Sequence, residues 1–472
     1  MRGTASKKLI KAMALTASIA MVALPGRPAW ADNLTDAFIG AYNTSGLLEQ
    51  NRALLRAADE DVAIALSALR PIIDWTARVR QDFSRARTGG VLTTDEPSTF
   101  FTGLTLSQLI YDGGASVLGK QSAQERVLST RQSLIDIEQQ VLFRAARAYL
   151  GVLLQEETVG IRQNNVDLSA EELRASQDRF EVGEVTRTDV ALSEAQLASS
   201  RADLAGARGD LSTAQAEYVN VVGKLPGRTT GQPGLPNLPS SESEAQSLAQ
   251  RNHPAILSAQ HQVRALDLFV QQQRSNLGPN VRLNADAGIT ESYEDDDYRN
   301  DARVSLDLTQ PIYAGGRLAA SVRRAMAERD SSRANLLIVQ KDITQGVTDA
   351  YVRFQTATAS LTASTERVRA SQVAFDGIRE EATLGARTTL DVLAAQQDLL
   401  DAQLAEVVSR TERSLAAYQL LQAQGLLTAE RLGLAVQIYD PTLYYNLVKR
   451  APAQVSKQSR DLDRVLKALR RE

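Results

Sequence analysis

A duplication is the feature of this chain that most constrains its fold. The segment Gln108-Leu-Ile-Tyr-Asp-Gly-Gly114 returns as Gln310-Pro-Ile-Tyr-Ala-Gly-Gly316, and this offset of 202 residues is kept without a gap as far as Asp189 and Asp391. In a repeat of this length each copy is one structural unit, which buries its apolar face against its neighbour. The sequence therefore predicts two similar halves within one architecture.

Composition favours long helices and argues against an enzyme. Aromatic residues make up 5% of the 472 residues, cysteine is absent, and the only histidines are His253 and His261. Thiolate chemistry is thereby excluded, and a zinc site, which draws on Cys and His clusters, is disfavoured. The two histidines are better explained by packed or surface positions. The sequence contains neither a phosphate-binding loop nor a catalytic constellation, so we expect no enzymatic activity and no bound cofactor.

The first 31 residues have the features of a secretory signal peptide. Lys7, Lys8 and Lys11 precede an apolar run, and Ala29-Trp30-Ala31 is a typical cleavage site. A membrane anchor would need about 20 apolar residues. Cleavage would remove five basic and no acidic residues, leaving 48 basic against 56 acidic residues, a net charge of −8. A negative chain of this kind gives no support to nucleic-acid binding.

Two long stretches, residues 115–182 and 317–384, lack proline and carry apolar residues at helical spacing. In the first half, apolar residues seven positions apart form two columns: Leu128, Ile135, Leu142 and Tyr149, then Val190, Leu197, Leu204, Leu211 and Tyr218. Sustained spacings of seven predict coiled-coil packing. A helix of 68 residues would be about 100 Å long at 1.5 Å per residue. Gly183 and Gly385, each followed by Thr and Asp, predict tight turns between paired helices.

Four shorter segments alternate apolar and polar residues instead. Their apolar positions are Ile73, Trp75, Ala77 and Val79; Phe100, Leu104, Leu106 and Ile110; Val281, Leu283, Ala285, Ala287 and Ile289; and Val304, Leu306, Leu308 and Ile312. This period of two predicts two β-hairpins, with polar loops at residues 84–98 and 291–302. The acidic loop tip from Glu294 to Asp297 lacks the spacing and the glycine of an EF-hand, which favours a solvated loop over a calcium site.

These strands fit two different environments. They are amphipathic, as in a small soluble sheet, but their length of about 10 to 12 residues also suits a tilted membrane strand, which needs about 9 to 11. An outer-membrane strand presents an apolar face to lipid and a polar face to the lumen. Because open strand edges are not tolerated in lipid, four strands would need strands from other chains to close a barrel.

The order of these elements resembles the TolC family of outer-membrane channels. The specific matches are the joints Ile110-Tyr-Asp-Gly-Gly114 and Ile312-Tyr-Ala-Gly-Gly316, the turns at 182–190 and 384–392, and the segment 439–448. The resemblance implies a mainly α fold with a β-barrel part: a homotrimer whose 12-stranded outer-membrane barrel continues into a long coiled-coil α-helical barrel. It also implies three kinds of partner, namely a periplasmic adaptor, an inner-membrane transporter and outer-membrane lipid.

The repeat and the resemblance together predict five regions. They are a signal peptide at 1–31, a first repeat at 32–222, a Pro/Gly-rich equatorial linker at 223–250, a second repeat at 251–424, and a C-terminal equatorial segment with a basic tail at 425–472. The tail from Lys449 to Glu472 has eight basic and three acidic residues. A mobile tail is the simpler interpretation, and docking to an acidic partner is the alternative.

The resemblance also implies a constriction in the tube. By its match to the turn motif, Asp391 occupies the position of the family's first constriction aspartate, whereas the second expected acid, three residues on, is Ala394. Three copies of Asp391 would form one ring of negative charge, which favours cations and can bind divalent ions. One ring is expected to block the passage less strongly than two.

Contacts that close the gate are implied in the same way. Arg387 matches the family's gate arginine, and Thr188 with Asp189 match the partners that this arginine contacts in the closed state. The family's tyrosine that contacts the same aspartate is Ala382 here. Asp189 also has a simpler interpretation as a helix N-cap.

The implied function is an exit duct in the outer membrane, with a tube that extends into the periplasm and exports drugs or proteins. The adaptor would contact the hairpin tips around Gly183 and Gly385, and the inner-membrane pump would supply the energy. The alternative is a periplasmic coiled-coil scaffold or adaptor without a pore, which predicts polar residues on both strand faces and no membrane association. The alternating strands favour the duct.

Overall fold

The computed structural model describes residues 33–227, 231–293, 297–451 and 456–469. The predicted signal peptide, residues 1–31, lies outside these ranges, as do residues 294–296 of the acidic loop tip. The first half contains α1 (Leu34–Thr44), α2 (Gly46–Ser67), β1 (Ile72–Gln81), β2 (Ser84–Thr88), β3 (Val91–Asp95), β4 (Ser98–Tyr111), α3 (Ala115–Glu181) and α4 (Arg187–Val222). The rest contains α5 (Glu242–Asn252), α6 (Pro254–Ser275), β5 (Asn280–Ser292), β6 (Tyr298–Thr309), α7 (Arg317–Thr383), α8 (Thr389–Ala423), α9 (Pro441–Val448) and α10 (Lys457–Leu469).

The longest helices, α3 and α7, have 67 residues each and begin at positions related by the sequence repeat. Each follows a Gly-Gly pair whose second glycine has a left-handed φ, +84° at Gly114 and +80° at Gly316. Glycine adopts this conformation without the steric cost that a Cβ brings. At 1.5 Å per residue each helix is about 100 Å long. Among the residues described, no helix is both long and apolar enough to cross a membrane.

Two antiparallel helical hairpins follow from these helices, α3 with α4 and α7 with α8. The predicted heptad columns of the first hairpin lie at its contacts, where the buried members are Leu142, Tyr149, Leu197, Leu204 and Tyr218. The spacing of seven therefore marks the packed face, because it returns a side chain to one side of the helix at every second turn.

The largest apolar core lies midway along the long helices. It packs Phe38 of α1 against α3 and α4 and includes Leu427 from the segment after α8. The predicted linker also reaches this level, where the Tyr149 hydroxyl donates to the Gly231 carbonyl at 3.3 Å. His253, the N-cap of α6, is buried nearby, and burial lowers its pKa, so of the two predicted environments, packed or surface, it has the packed one. Both segments predicted to be equatorial thus contact the middle of the long helices.

The four longer strands form one antiparallel sheet in the order β1-β4-β5-β6. β1 pairs with β4 and β5 with β6, and these are the two predicted hairpins. β4 also pairs with β5, from Thr99 opposite Ser292 to Tyr111 opposite Val281, which joins the two halves of the chain. Within the described residues, the outer strands β1 and β6 each have one edge without a partner strand.

Two details of the strands differ from the prediction. Residues 84–98, predicted as a loop, contain the hairpin β2–β3, because Gly89 and Gly90, with φ of +60° and +88°, form a two-residue turn that suits the strand twist. β6 ends at Thr309, so Ile312 is not a strand residue and is 95% exposed. Pro311 has no N–H to donate to the ladder, which accounts for this early end.

Candidate channel surfaces and gate

One face of the sheet is apolar across all four strands. Ile73 lies opposite Leu106, Leu106 opposite Ala285, and Ala285 opposite Val304, so one apolar row crosses the whole sheet. The next row consists of Trp75, Leu104, Ala287 and Ala302. Trp75 is 72% exposed. A continuous apolar face that is exposed in the single chain indicates contact with lipid or with another protein surface.

The opposite face of the sheet is polar. Two of its rows are Asp74, Thr105, Asp286 and Arg303, and then Arg78, Phe101, Thr290 and Arg299. Hydrogen bonds link β5 and β6 on this face: the Thr290 hydroxyl donates to Asp301 at 3.0 Å, and the Asn284 amide donates to Asp307 at 2.6 Å. The sheet thus divides an apolar side from a polar side, the arrangement that suits strands between lipid and a lumen.

Glycine shapes the tips of both helical hairpins. Gly183 and Gly385 have φ of +83° and +77°, and an added Cβ would meet open space at either position. Backbone conformation, rather than close packing, therefore requires glycine here. In the first tip the Glu184 N–H donates to the Arg179 carbonyl at 2.9 Å, and the second tip repeats this bond. This pattern ends a helix and reverses the chain within a few residues.

Asp391 and Asp189 take part in helix caps directly after these turns. The Thr388 N–H and hydroxyl donate to the Asp391 carboxylate at 3.0 and 2.9 Å, and the Asp391 N–H donates to the Thr388 hydroxyl at 3.2 Å. Thr186 and Asp189 form the same capping box at the start of α4. Thr186, rather than Asp189, is therefore the N-cap. Hydrogen bonds from Thr388 hold the pKa of Asp391 below its usual range, and those from Thr186 do so for the pKa of Asp189.

Arg387 forms an ion pair within its own hairpin. Its Nε lies 2.7 Å from Oε2 of Glu381, and both side chains are about half exposed. Thr188 is exposed at the other tip. Within the described chain Arg387 is brought to neither Thr188 nor Asp189. Contact with those two residues is accordingly a proposal about the assembled protein.

The two alanines at expected gate positions differ in environment. Ala382 is buried in an apolar cluster with Phe375, whereas Ala394 is exposed on α8. Asp398 is exposed on the same side of α8, seven residues after Asp391. Two helical turns bring residues at this spacing into line. Asp398 was not singled out from the sequence, although its spacing of one heptad from Asp391 was an available signal.

A buried polar network fastens the second hairpin to the first. Gln396 on α8 donates to Oδ1 of Asn165 at 2.8 Å and to Oγ of Ser169 at 2.9 Å, both on α3. Asn165 in turn donates to Oγ of Ser200 on α4 at 3.0 Å. A buried amide is costly unless its polar atoms are bonded, so the network selects one packing of the hairpins. No local pattern indicated it, because Gln396 and Asn165 are 231 residues apart.

Comparison with known proteins identifies the protein family. The family model described as outer membrane efflux protein matches residues 42–224 and 245–426, which is most of both halves. The chain belongs to the outer membrane efflux protein family. This membership confirms the resemblance to the TolC family.

Similarity to individual proteins supports membership of this family. The chain is 35% identical to outer membrane efflux protein BepC of Brucella suis biovar 1 (strain 1330), over 95% of this chain and 97% of BepC. It is 25% identical to the proteases secretion protein PrtF of Dickeya chrysanthemi, over 88% of this chain and 90% of PrtF. A crystal structure of a membrane protein from Pseudomonas aeruginosa shares the fold, with a TM-score of 0.75 and 20% identity over 86% of this chain and 92% of that one. The relatives are outer-membrane efflux and secretion proteins, which supports an outer-membrane location.

Proposed function

We propose that this efflux-family chain forms a homotrimeric exit duct in the outer membrane, with a helical tube that extends into the periplasm. The amphipathic four-stranded sheet, whose two outer edges have no partner strand in the described part of the chain, carries the proposal. Unpaired backbone groups are not tolerated in lipid, so closing the sheet requires strands from other copies. Three copies with four strands each give a barrel of 12 strands, an even number such as bacterial barrels have.

The internal repeat predicts how β6 of one copy pairs with β1 of the next. The repeat offset of 202 residues relates Leu104 on β4 to Leu306 on β6. Trp75 on β1 lies opposite Leu104, and Leu283 on β5 lies opposite Leu306, so β1 corresponds to β5 and β4 to β6. Within the chain β4 pairs with β5, with Leu106 opposite Ala285. The same register between copies places Leu308 opposite Ala77. Both are apolar-face residues, so the join continues the apolar surface.

Cysteine cross-linking tests this join. The chain has no cysteine, so the pair Leu308→Cys and Ala77→Cys introduces its only thiols. Opposed side chains in a sheet have Cβ atoms about 4.5–5.5 Å apart, near the range that a disulfide needs. Oxidation is expected to give a covalent trimer on a denaturing gel, and reduction to return the monomer. The control pair is Leu308→Cys and Arg78→Cys, because Arg78 points to the polar face; equal cross-linking by both pairs would contradict the register.

The tube is closed in this proposal by charge and by contacts between the hairpins. Three copies of Asp391 form one negative ring, and three copies of Asp398, about 10 Å further along α8 at 1.5 Å per residue, form a second. The second ring replaces the acid that is missing at Ala394. Arg387 holds the tips together through Thr188 and Asp189 when the assembled tube is closed. Such a gate selects and retains solutes and performs no chemistry.

The hairpin tips also provide the surface for partner proteins. Val182 and Leu384 occupy equivalent positions next to Gly183 and Gly385 and are 72% and 78% exposed. Exposed apolar side chains at the end of a helical hairpin suit packing against the helices of another protein. We assign this surface to a periplasmic adaptor, which links the duct to an inner-membrane transporter. The transporter supplies the energy that export requires.

Conductance across a planar lipid bilayer tests the duct itself. The purified protein is expected to insert and to form discrete channels that prefer cations. Chains with the matched Leu308→Cys and Ala77→Cys pair, oxidised to the trimer, should conduct as the unmodified protein does. Absence of any conductance from a protein that is folded and trimeric would favour the periplasmic scaffold instead.

A further inference from the structure

The basic C-terminal tail contains a helix, α10, to which the proposed duct assigns no role. Helix α10 has four exposed basic residues spaced three or four positions apart, which places them in one stripe: Lys457, Arg460, Arg464 and Lys467. Leu462 lies on the other side of the helix and is buried against Tyr444 and Val448 of α9. Packing through Leu462 turns the basic stripe away from the rest of the protein.

The contacts of the neighbouring segment place α10 at the sheet end of the molecule. Helix α9 packs against α2. Arg70, in the joint between α2 and β1, donates to the carbonyls of Arg450 and Ala451, just after α9 ends. Ile73, on the apolar face of the sheet, follows only three residues after Arg70. The stripe is thereby held near the level at which the apolar band begins.

We propose that the basic stripe of α10 binds the anionic headgroups of phospholipids in the outer-membrane leaflet that faces the periplasm. Clusters of Lys and Arg next to a membrane-spanning segment attract anionic lipid, and their long side chains carry the charge into the headgroup layer. The rest of the chain is acidic, whereas the tail from Lys449 has eight basic and three acidic residues. Arg464 also pairs with Asp461 at 3.0 Å, but an ion pair exposed to water is weak and exchanges readily for a phosphate.

This inference rests on the proposed placement of the sheet in the membrane. Hydrogen exchange in lipid nanodiscs tests whether α10 binds anionic lipid. The protein is reconstituted in phosphatidylcholine alone and in a mixture with phosphatidylglycerol, and amide exchange of residues 457–469 is compared. Phosphatidylglycerol is expected to slow this exchange severalfold. Replacing all four stripe residues by Gln should abolish the difference. The matched control replaces four exposed arginines of the first helical hairpin by Gln and should keep it: Arg174, Arg187, Arg201 and Arg208.

A second readout separates failure of this inference from failure of the duct. Trp75 is the only tryptophan after the predicted cleavage site, and brominated lipid quenches its fluorescence where the apolar face meets the acyl chains. Quenching of Trp75 without lipid-dependent protection of α10 would overturn the inference and leave the duct intact. An unquenched Trp75 would overturn the membrane placement and the inference with it. Protection by isolated peptidoglycan in place of phosphatidylglycerol would assign the stripe to the cell wall and overturn the lipid assignment.

Discussion

Gln396 on the second helical hairpin donates a hydrogen bond of 2.8 Å to Asn165 on the first, and both side chains are buried. The same Nε2 of Gln396 also donates to Oγ of Ser169, whereas Oε1 of Gln396 has no hydrogen-bond partner among the described residues. The two hairpins of one chain are therefore fastened by directed bonds as well as by apolar packing.

Gln396→Leu is expected to destabilise the folded protein, because Asn165 and Ser169 then remain buried with fewer partners. The unsatisfied Oδ1 of Asn165 costs about 1–3 kcal/mol, and removal of the unpaired Oε1 of Gln396 offsets part of this, so we expect a net loss of about 1 kcal/mol. Thermal unfolding in detergent, followed by circular dichroism, measures the effect. Gln397→Leu is the matched control, because Gln397 is exposed. Similar unfolding midpoints for the two variants would show that the network adds no stability.

Asp391→Asn is expected to reduce the cation preference of the channel and its block by divalent ions. Asp398→Asn should have a smaller effect of the same sign, and the double variant the largest. Asp210→Asn, which removes an exposed acid from the first hairpin, is the control. Reversal potentials in a salt gradient measure the preference. A double variant that is as selective as the unmodified channel would exclude both rings.

The selectivity should also depend on pH in a defined way. Hydrogen bonds from Thr388 lower the pKa of Asp391, so its carboxylate stays charged as pH falls through the ordinary value for aspartate, about 3.9. These hydrogen bonds are therefore expected to keep the cation preference to lower pH than the ring would reach without them, because the mutual repulsion of the three carboxylates acts in the opposite direction. Thr388→Ala removes the hydroxyl and should move the loss of selectivity to higher pH. The same pH dependence in Thr388→Ala as in the unmodified channel would contradict this assignment.

Arg387→Ser is expected to raise the open probability of the channel. Glu381→Gln removes the partner that Arg387 has within its own hairpin, whereas Asp189→Asn removes the proposed partner in the other hairpin. If the gate is closed by the contact between hairpins, Arg387→Ser and Asp189→Asn should act alike and Glu381→Gln should act little. Thr186→Ala controls for the capping box, which Asp189→Asn also disturbs. The opposite ranking in single-channel recordings would place the closing contact at Glu381.

The buried carboxyl of Asp59 leads us to expect that stability also depends on pH. It is fully buried on α2, and both of its carboxylate oxygens lack hydrogen-bond partners among the described residues. Burial raises the pKa of Asp59 to about 6, although the charge of Arg131 opposes this shift. The folded protein thus binds this proton more tightly than the unfolded chain, so the contribution of Asp59 to stability is greatest below about pH 4, falls as pH rises to about 6 and stays lower above it.

Asp59→Asn mimics the neutral form of the carboxyl and should therefore stabilise the protein near neutral pH. At 1.36 kcal/mol per pKa unit, the shift from 3.8 to about 6 gives a gain of about 3 kcal/mol well above pH 6, and the gain nearly vanishes at about pH 4. Thermal unfolding at both pH values measures it. Asp61→Asn changes an exposed carboxylate on the same helix and should alter neither midpoint. A gain that is equal at both pH values would rule out the raised pKa as its cause.

The sequence was a good guide wherever the signal is periodic or depends on one residue's backbone. Heptad spacing located the buried columns, and the 202-residue repeat predicted the starts of α3 and α7. Strand alternation predicted the two faces of the sheet. The strand prediction was wrong at two places where glycine or proline acts locally. Gly89-Gly90 makes a hairpin turn in a predicted loop, and Pro311 ends β6 before Ile312.

The sequence by itself determined the duplicated plan, the helix lengths, the turns at Gly183 and Gly385, and which side chains share a face, because each follows from spacing along the chain. Only the tertiary structure decided that β4 pairs with β5, that Gln396 meets Asn165, and that Arg387 pairs with Glu381. Contacts between side chains, above all between distant segments, depend on how helices and strands pack. Periodicity specifies the packed face of each element but not the partner it meets.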